Sequence, residues 1–250
     1  MPKPTQKTTA PDDATAGKSP VAAGAEVTTI NPQTITAATT ETMASTKQEL
    51  RQGISLYDPN FIPQADADRL FAGLLTLPWK QHTMRMYGKE ILMPRMYQWM
   101  GLTPTIYGEK VQPMEWTPEA LEIRQRVEVA LGFLYDSCNI NFYRDGKDHI
   151  GWHSDDRCEG LWQYPIASVS FGASRDFQTC PYLGDGKWKR RFHKHFGTPD
   201  SPVTLEHGSL VVMPAGSQEF YVHRLKKATK AQGDGARINL TFRMMDDPRS

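Results

Sequence analysis

His153 and Asp155 stand two positions apart near the middle of the chain. Side chains at i and i+2 of a β-strand point to the same face, so in a strand this pair sets an imidazole beside a carboxylate. Both groups ligate metals. One more ligand from a distant strand would complete a two-histidine, one-carboxylate facial triad, an arrangement that leaves positions open on an octahedral Fe(II). With seven histidines in the chain, a His-x-Asp pair also arises by chance, and taken alone it reads more simply as a solvated turn.

The far end of the chain changes the weighting. His223 follows the strand-like Phe220-Tyr221-Val222, 68 positions after Asp155. Beyond it Arg237, Asn239, Thr241 and Arg243 alternate with Ile238, Leu240 and Phe242, which puts polar groups on one face of a strand and apolar groups on the other. As a bare pattern this is a strand with a solvent face. The two arginines suit another purpose, because a guanidinium grips a carboxylate through two parallel hydrogen bonds. A dicarboxylate beside a metal would fit such a strand.

Taken together, His153-x-Asp155, His223 and Arg237-x-Asn239-x-Thr241-x-Arg243 resemble the AlkB family of Fe(II)/2-oxoglutarate-dependent nucleic-acid dealkylases. Asn141-x-Tyr143, Pro165-Ile166-Ala167-Ser168, Phe171-Gly172-Ala173-x-Arg175-x-Phe177 and His207-Gly208-Ser209-Leu210 also look like signatures of that family. The resemblance covers roughly residues 54–245 and is nearest to the branch that repairs alkylated DNA. It implies that His153, Asp155 and His223 hold Fe(II). It further implies that Asn141 and Tyr143 bind 2-oxoglutarate and that Arg237 takes the distal carboxylate, with Asn239, Thr241 and Arg243 completing the pocket. The activity implied is oxidative demethylation of alkylated DNA bases of the 1-methyladenine and 3-methylcytosine type with Fe(II), O2 and 2-oxoglutarate, releasing formaldehyde, succinate and CO2. RNA as the substrate of the same chemistry, and a catalytically silent nucleic-acid-binding module, stay open beside it. A zinc hydrolase built on the two histidines would leave both arginines without a role.

Recognition of the base falls by similarity to a lid at about residues 80–112, where Met84, Met86, Met93, Met96 and Met100 mingle with Tyr87, Tyr97 and Trp99. Tyr87, Gly88 and Lys89 lie where duplex-repairing relatives carry a wedge for the gap left by a flipped base. Pro94-Arg95 and Trp99-Met100-Gly101 resemble the stretch that contacts the base itself. A cluster of methionines and aromatics is also ordinary core material. One position departs from the family: relatives usually carry an acidic residue where this chain has Arg157, so Asp156 is left to accept from the exocyclic amine of a methylated base. Residues 187–196 add five Lys or Arg, two His and three aromatics, and Arg224, Lys226, Lys227 and Lys230 follow the distal histidine. Basic groups interleaved with stacking groups suit a phosphate backbone and splayed bases, and they suit a charged hairpin equally well.

The elements that must carry these residues can be read from periodicity. Ile54-Ser55-Leu56-Tyr57 alternates like a strand, and Gln64 to Leu77 repeats apolar residues at helical spacing before Pro78. A second helix is expected from Pro118 to about Leu131, capped by Thr117, with Leu121, Val127 and Leu131 recurring on one face. After it come short strands at 139–143, 166–171, 176–178, 209–213 and 238–242, each bounded by turn residues. No helical crossovers and no Gly-x-Gly-x-x-Gly intervene, which argues against a parallel nucleotide-binding sheet. The fold class expected is α+β, mainly β: a double-stranded β-helix, or jelly roll, with N-terminal helices packed on one sheet.

Composition bounds the rest. The chain has 250 residues and a net charge of +1, so any affinity for a polyanion must be local. Residues 1–52 form a Thr/Ala/Pro-rich tail, and its first 50 positions hold none of the 25 aromatics. Such a segment buries too little to offset the roughly 1–2 kcal/mol of backbone entropy per residue and is expected to be disordered, leaving residues 53–250 as the dioxygenase domain. The three cysteines, Cys138, Cys158 and Cys180, form no Cys-x-x-Cys pair, and the first residues carry no apolar signal core. An intracellular, monomeric protein without a membrane span is the expectation.

Overall fold

Period-two patterning in the second half of the chain builds two antiparallel sheets whose faces differ in character. The computed structural model describes residues 53–86, 88–103, 105–106, 109–155, 164–182 and 196–245. The tail at 1–52, Tyr87, Asp156, Arg157, Cys158 and the basic run at 187–195 lie outside the described residues.

In chain order the elements are β1 (Leu56–Asp58), α1 (Gln64–Leu75), β2 (Thr83–Met86), β3 (Lys89–Leu92), β4 (Met96–Gly101), β5 (Thr105–Ile106), β6 (Glu109–Lys110) and α2 (Pro118–Leu131). There follow β7 (Ser137–Tyr143), β8 (Ile150–His153), β9 (Ile166–Gly172), β10 (Arg175–Pro181), β11 (Val203–Leu205), β12 (Leu210–Met213), α3 (Ser217–Phe220), β13 (Tyr221–Leu225) and β14 (Arg237–Arg243). The larger sheet has the order β1-β12-β9-β14-β7-β4 and the smaller β11-β10-β13-β8. From β7 onward the strands divide evenly: β7, β9, β12 and β14 enter the larger sheet, while β8, β10, β11 and β13 enter the smaller. That division is the expected jelly roll, extended at the edges of its larger sheet by β1 and β4. No helix among the described residues is long and apolar enough to cross a membrane.

Both longer helices cover the outer face of the larger sheet. Ala67, Leu70 and Leu74 of α1 and Ala120, Ile123 and Val127 of α2 join Ile140, Val169, Ile238, Leu240 and Phe242 in one core. α1 stops at Leu75, two residues short of the expected end, with the Thr76 N–H donating to Gly73 and Leu74 carbonyls. Pro78 disfavours helical backbone at Leu77, so the chain leaves the helix early. Thr117 does cap α2, accepting from the Ala120 N–H at 3.3 Å. Leu121 is a correction: it is 41% exposed, because the face that meets α1 and the sheet is set by Ala120, Ile123 and Val127, and the next residue points roughly 100° away.

The inner face of the larger sheet is the one that positions chemistry. All seven residues of β14 are buried, so Arg237, Asn239, Thr241 and Arg243 do not form a solvent face. The smaller sheet closes over them, and four polar side chains are thereby held in a sandwich interior. Gly172 opens the turn into β10 at φ +85°, where an added Cβ would sit 2.3 Å from the Ala236 carbonyl oxygen, which accounts for the glycine in the Phe171-Gly172-Ala173 signature.

The loop from β7 to β8 is tied by Asp148, 5% exposed. Its carboxylate accepts from the Arg144 N–H at 3.0 Å, from Nε at 2.8 Å and from Nη2 at 2.9 Å. Burial raises its pKa, and the bonds from Arg144 outweigh that, leaving it below the usual carboxylate range. A carboxylate depressed in the folded state contributes stability above its unfolded pKa of about 3.9 and loses it as pH falls through the folded value. Asp148→Asn is therefore expected to cost about 1–3 kcal/mol at neutral pH. In urea titrations its gap to the parent chain should narrow only once the pH drops below about 4.

Candidate metal centre

His153 is the last residue of β8, and its partner across the ladder is His223 of β13. The two imidazole centroids are 4.2 Å apart at 60°. Asp155 is not on the strand with His153, contrary to the period-two expectation, because β8 ends at His153 and Asp155 lies in a bend. Tertiary contacts restore the approach. The Asp155 N–H donates to Gln218 Oε1 at 3.0 Å, and Arg243 Nη2 donates to Asp155 Oδ2 at 2.6 Å. Asp155 Oδ1 is then 3.8 Å from His153 Nε2, and one ligand atom from each of His153, Asp155 and His223 lies within 4.8 Å of the others.

The protonation states suit a metal. His153 Nδ1 lies 2.9 Å from the Gly151 carbonyl; a carbonyl only accepts, so Nδ1 carries the hydrogen and Nε2 keeps its lone pair. Burial, then the neighbouring His153, pull the His223 pKa down to about 3 against the attraction of Asp155. Burial likewise lowers His153. At Asp155 burial pushes upward, and the Arg243 guanidinium with the two imidazoles outweighs it, so the carboxyl is held well below its usual range. Neutral imidazole and ionised carboxylate are the ligating forms. Because Arg243 occupies Oδ2 and leaves Oδ1 facing the histidines, Arg243→Met is expected to weaken Fe(II) binding by about 10–100-fold, the usual effect of an outer-shell partner. Anaerobic metal titration measures it.

Along β14, away from the triad, the strand register pairs Asn239 with Asn141 and Arg237 with Tyr143 of β7. Asn239 Nδ2 donates to Ser168 Oγ at 2.7 Å and to the Val169 carbonyl at 3.0 Å. Thr241 Oγ1 donates to Asn239 Oδ1 at 3.1 Å. Asn141 Oδ1 accepts from Arg95 Nε at 2.8 Å. Arg237, 1% exposed, gives Nη2 to Ser170 Oγ at 2.8 Å, while its Nε and Nη1 are buried without a partner. Burial lowers its pKa to about 10, so it is still a cation at neutral pH. An unsatisfied buried donor costs about 1–3 kcal/mol, and more when charged. A carboxylate along the Nη1/Nη2 edge would take the Nη1 donor together with the second hydrogen of Nη2 and remove part of that cost, so the residues present fit 2-oxoglutarate.

The structure separates the arginines that the sequence pairs. Arg237 faces the Tyr143 ring at 5.2 Å with Nε and Nη1 left over, whereas Arg243 is committed to Asp155 and lies with Cζ 5.4 Å from the Trp99 ring. Trp99 thus stands on the site face of β4. Met100 does not, because adjacent strand residues point oppositely, and it is fully buried in the helix-side core, with no route to a base. Gly88 and Lys89 are exposed at the tip of the β2–β3 hairpin. Arg224, expected on a phosphate surface, is tied to Gln178 Oε1 at 2.6 Å and lies 4.3 Å from the Trp152 ring. Two contributors escaped sequence reasoning, Gln218 and Ser170. Gln218 belongs to α3, only five residues before His223, yet nothing in its type or spacing marks it. Ser170 could have been found as the alternate of Ser168 on β9, and its register partner Asn239 leads to it.

The 2OG-Fe(II) oxygenase superfamily matches residues 55–243, and the chain belongs to that superfamily. Fe(II), 2-oxoglutarate and O2 are the metal, co-substrate and oxidant this membership implies. Curated relatives narrow it to the AlkB family. The chain is 33% identical over 208 residues to the DNA oxidative demethylase ALKBH2 of Arabidopsis thaliana, covering 76% of this chain and 66% of that protein. It is 32% identical over 206 residues to the alpha-ketoglutarate-dependent dioxygenase alkB homolog 3 of Homo sapiens, covering 78% and 68%. The matched stretch thus spans about two thirds of these relatives' length. A solved structure, that of OsALKBH1, superposes with a TM-score of 0.52 at 18% identity, covering 79% of this chain and all of that one. At that identity the likeness concerns the fold alone.

Proposed function

We propose that this chain is an iron and 2-oxoglutarate dioxygenase that oxidatively demethylates alkylated bases in DNA, of the 1-methyladenine and 3-methylcytosine type. One observation carries the reading: the buried Arg237 guanidinium, with Nε and Nη1 left without partners, on the same strand face whose other end holds Asp155 through Arg243. The named activity of the ALKBH2 relative supports DNA as the substrate.

In this reading bound Fe(II) supplies O2 activation and the oxidation of the methyl carbon. Each remaining task belongs to the chain. His153, Asp155 and His223 hold the metal; Arg237 and Tyr143 take the distal carboxylate, and Asn141, Asn239 and Thr241 shape the pocket between. Closure of the smaller sheet over the larger excludes water from that pocket, which strengthens the charge pairing within it. Lesion access requires unstacking at a cost of a few kcal/mol, least for a damaged base. The β2–β3 hairpin, with Gly88 and Lys89 at its tip and Ile91 and Leu92 42% and 59% exposed, is suited to act as the lid that contacts the opened nucleotide, and Tyr87, beside Gly88 in sequence, is the wedge candidate. Trp99 serves the base from the site face, and Asp156 accepts from its exocyclic amine.

The test is anaerobic loading with Fe(II) and 2-oxoglutarate, then O2 and an oligonucleotide bearing 1-methyladenine or 3-methylcytosine. Succinate and restored base are expected in equal amounts. Succinate without repair keeps the oxygenase and removes the DNA claim; faster repair of the matching RNA moves the substrate to RNA. Oligonucleotide binding with no succinate on any substrate leaves a silent binding module.

A further inference from the structure

Arg175 opens β10 and is fully buried, heading the largest enclosed side chains of the molecule. Its Nη2 donates to the Asp148 carbonyl at 2.6 Å and also to the Lys226 carbonyl, and its Nη1 to the Asp145 carbonyl at 3.3 Å. Those acceptors lie on two loops. One leaves β7 directly after Tyr143, and the other leaves β13 and enters β14 at Arg237. Gly146 and its neighbours join the same loops, its N–H donating to Asp234 Oδ1 at 2.7 Å and its carbonyl accepting from the Ala228 N–H at 2.8 Å.

Arg175 Cζ lies 5.8 Å from the Tyr143 ring and Arg237 Cζ 5.2 Å from it. One phenol ring therefore lies within 5.8 Å of two buried guanidiniums. The hydrogen-bond acceptors of Arg175 Nη1 and Nη2 are backbone carbonyls, its Nε is buried without a partner, and the Asp148, Asp145 and Asp176 carboxylates nearby offset its charge only through space. That charge remains in the field felt at Arg237, in an interior where screening by salt is weak.

We propose that Arg175 is a positioning residue for the distal-carboxylate end of the pocket: it pins the two loops that deliver Tyr143 and Arg237 and adds positive potential where the second carboxylate of the co-substrate arrives. The proposal rests on the reading of Arg237 given above. The fork geometry matters, because carbonyls on separate loops are spanned by a planar guanidinium and not by a compact ammonium.

The experiment compares two ligands on the chain loaded anaerobically with Fe(II): 2-oxoglutarate, and 2-oxobutyrate, which has the same keto-acid end without the distal carboxylate. Affinities are read by calorimetry for the parent chain, Arg175→Met and Arg175→Lys. Arg175→Met is expected to weaken 2-oxoglutarate about tenfold, as for neighbours coupled in one network, to leave 2-oxobutyrate within about twofold, and to leave Fe(II) affinity unchanged. Arg175→Lys should fall between, and it carries the same ratio test if the methionine variant does not fold. Equal weakening of both acids, or unchanged 2-oxoglutarate affinity, overturns the role of Arg175 and leaves Arg237 untouched. A parent chain with no preference for 2-oxoglutarate over 2-oxobutyrate overturns the reading of Arg237, and this proposal with it.

Discussion

His223→Ala is expected to abolish iron-dependent turnover while the chain still folds. Outer-shell substitutions cost about 10–100-fold in metal affinity, and deleting a ligand goes beyond that range. His223 is 6% exposed, faces Phe177 at 5.4 Å between ring centroids and stands opposite His153. Alanine leaves a polar gap beside a ladder whose backbone bonds are unaffected, so the loss in stability should stay within about 1–3 kcal/mol. Thermal unfolding with and without Fe(II) separates the two effects. A metal at about 100 times its Kd stabilises by roughly 2.7 kcal/mol; the parent chain should show this rise and the variant should not. Undiminished succinate formation by the variant would remove His223 from the ligand set.

Arg237→Met should have the second largest effect, and on stability it should run the other way. Loss of two charge-assisted bonds to a carboxylate, about 1.5–3 kcal/mol each, predicts a rise in KM for 2-oxoglutarate on the order of 10²–10⁴-fold. The unliganded variant should be as stable as the parent or more so. In the parent, a buried cation carries two donors without partners, and replacing such a charge with an apolar side chain of similar length is often neutral or stabilising. Denaturant midpoints without ligand, set beside 2-oxoglutarate titrations, check both halves. A strongly destabilised variant would mean that Arg237 is a structural staple and that its open donors are not reserved for a ligand.

His-x-Asp alone was a weak signal, and the triad was legible only because His223 and the Arg237-x-Asn239-x-Thr241-x-Arg243 strand, taken with it, resemble a known family. Its geometry was not. Period two places His153 and Asp155 on one face only while the strand continues, and β8 ends between them; Gln218 and Arg243 then bring the carboxylate in. Leu121 failed for a geometric reason. Six residues of helix turn through about 600°, so Leu121 and Val127 point about 120° apart, and the face packed on the core is the one shared by Ala120, Ile123 and Val127.

Residue order by itself determined the alternation along β14, the helix start at Thr117 and Pro118, and the chemical inventory of the site. Those follow from local geometry, which a strand or a helix turn imposes whatever surrounds it. Only the tertiary structure decided that the polar face of β14 is enclosed, that Arg243 serves Asp155 while Arg237 keeps Nε and Nη1 unpartnered, and that Met100 packs in the helix-side core while Trp99 lies beside Arg243. Each depends on which sheet or loop closes over a face, and closure is set by contacts between residues far apart in the chain, such as Arg243 with Asp155, 88 positions away. Local periodicity carries no information about them.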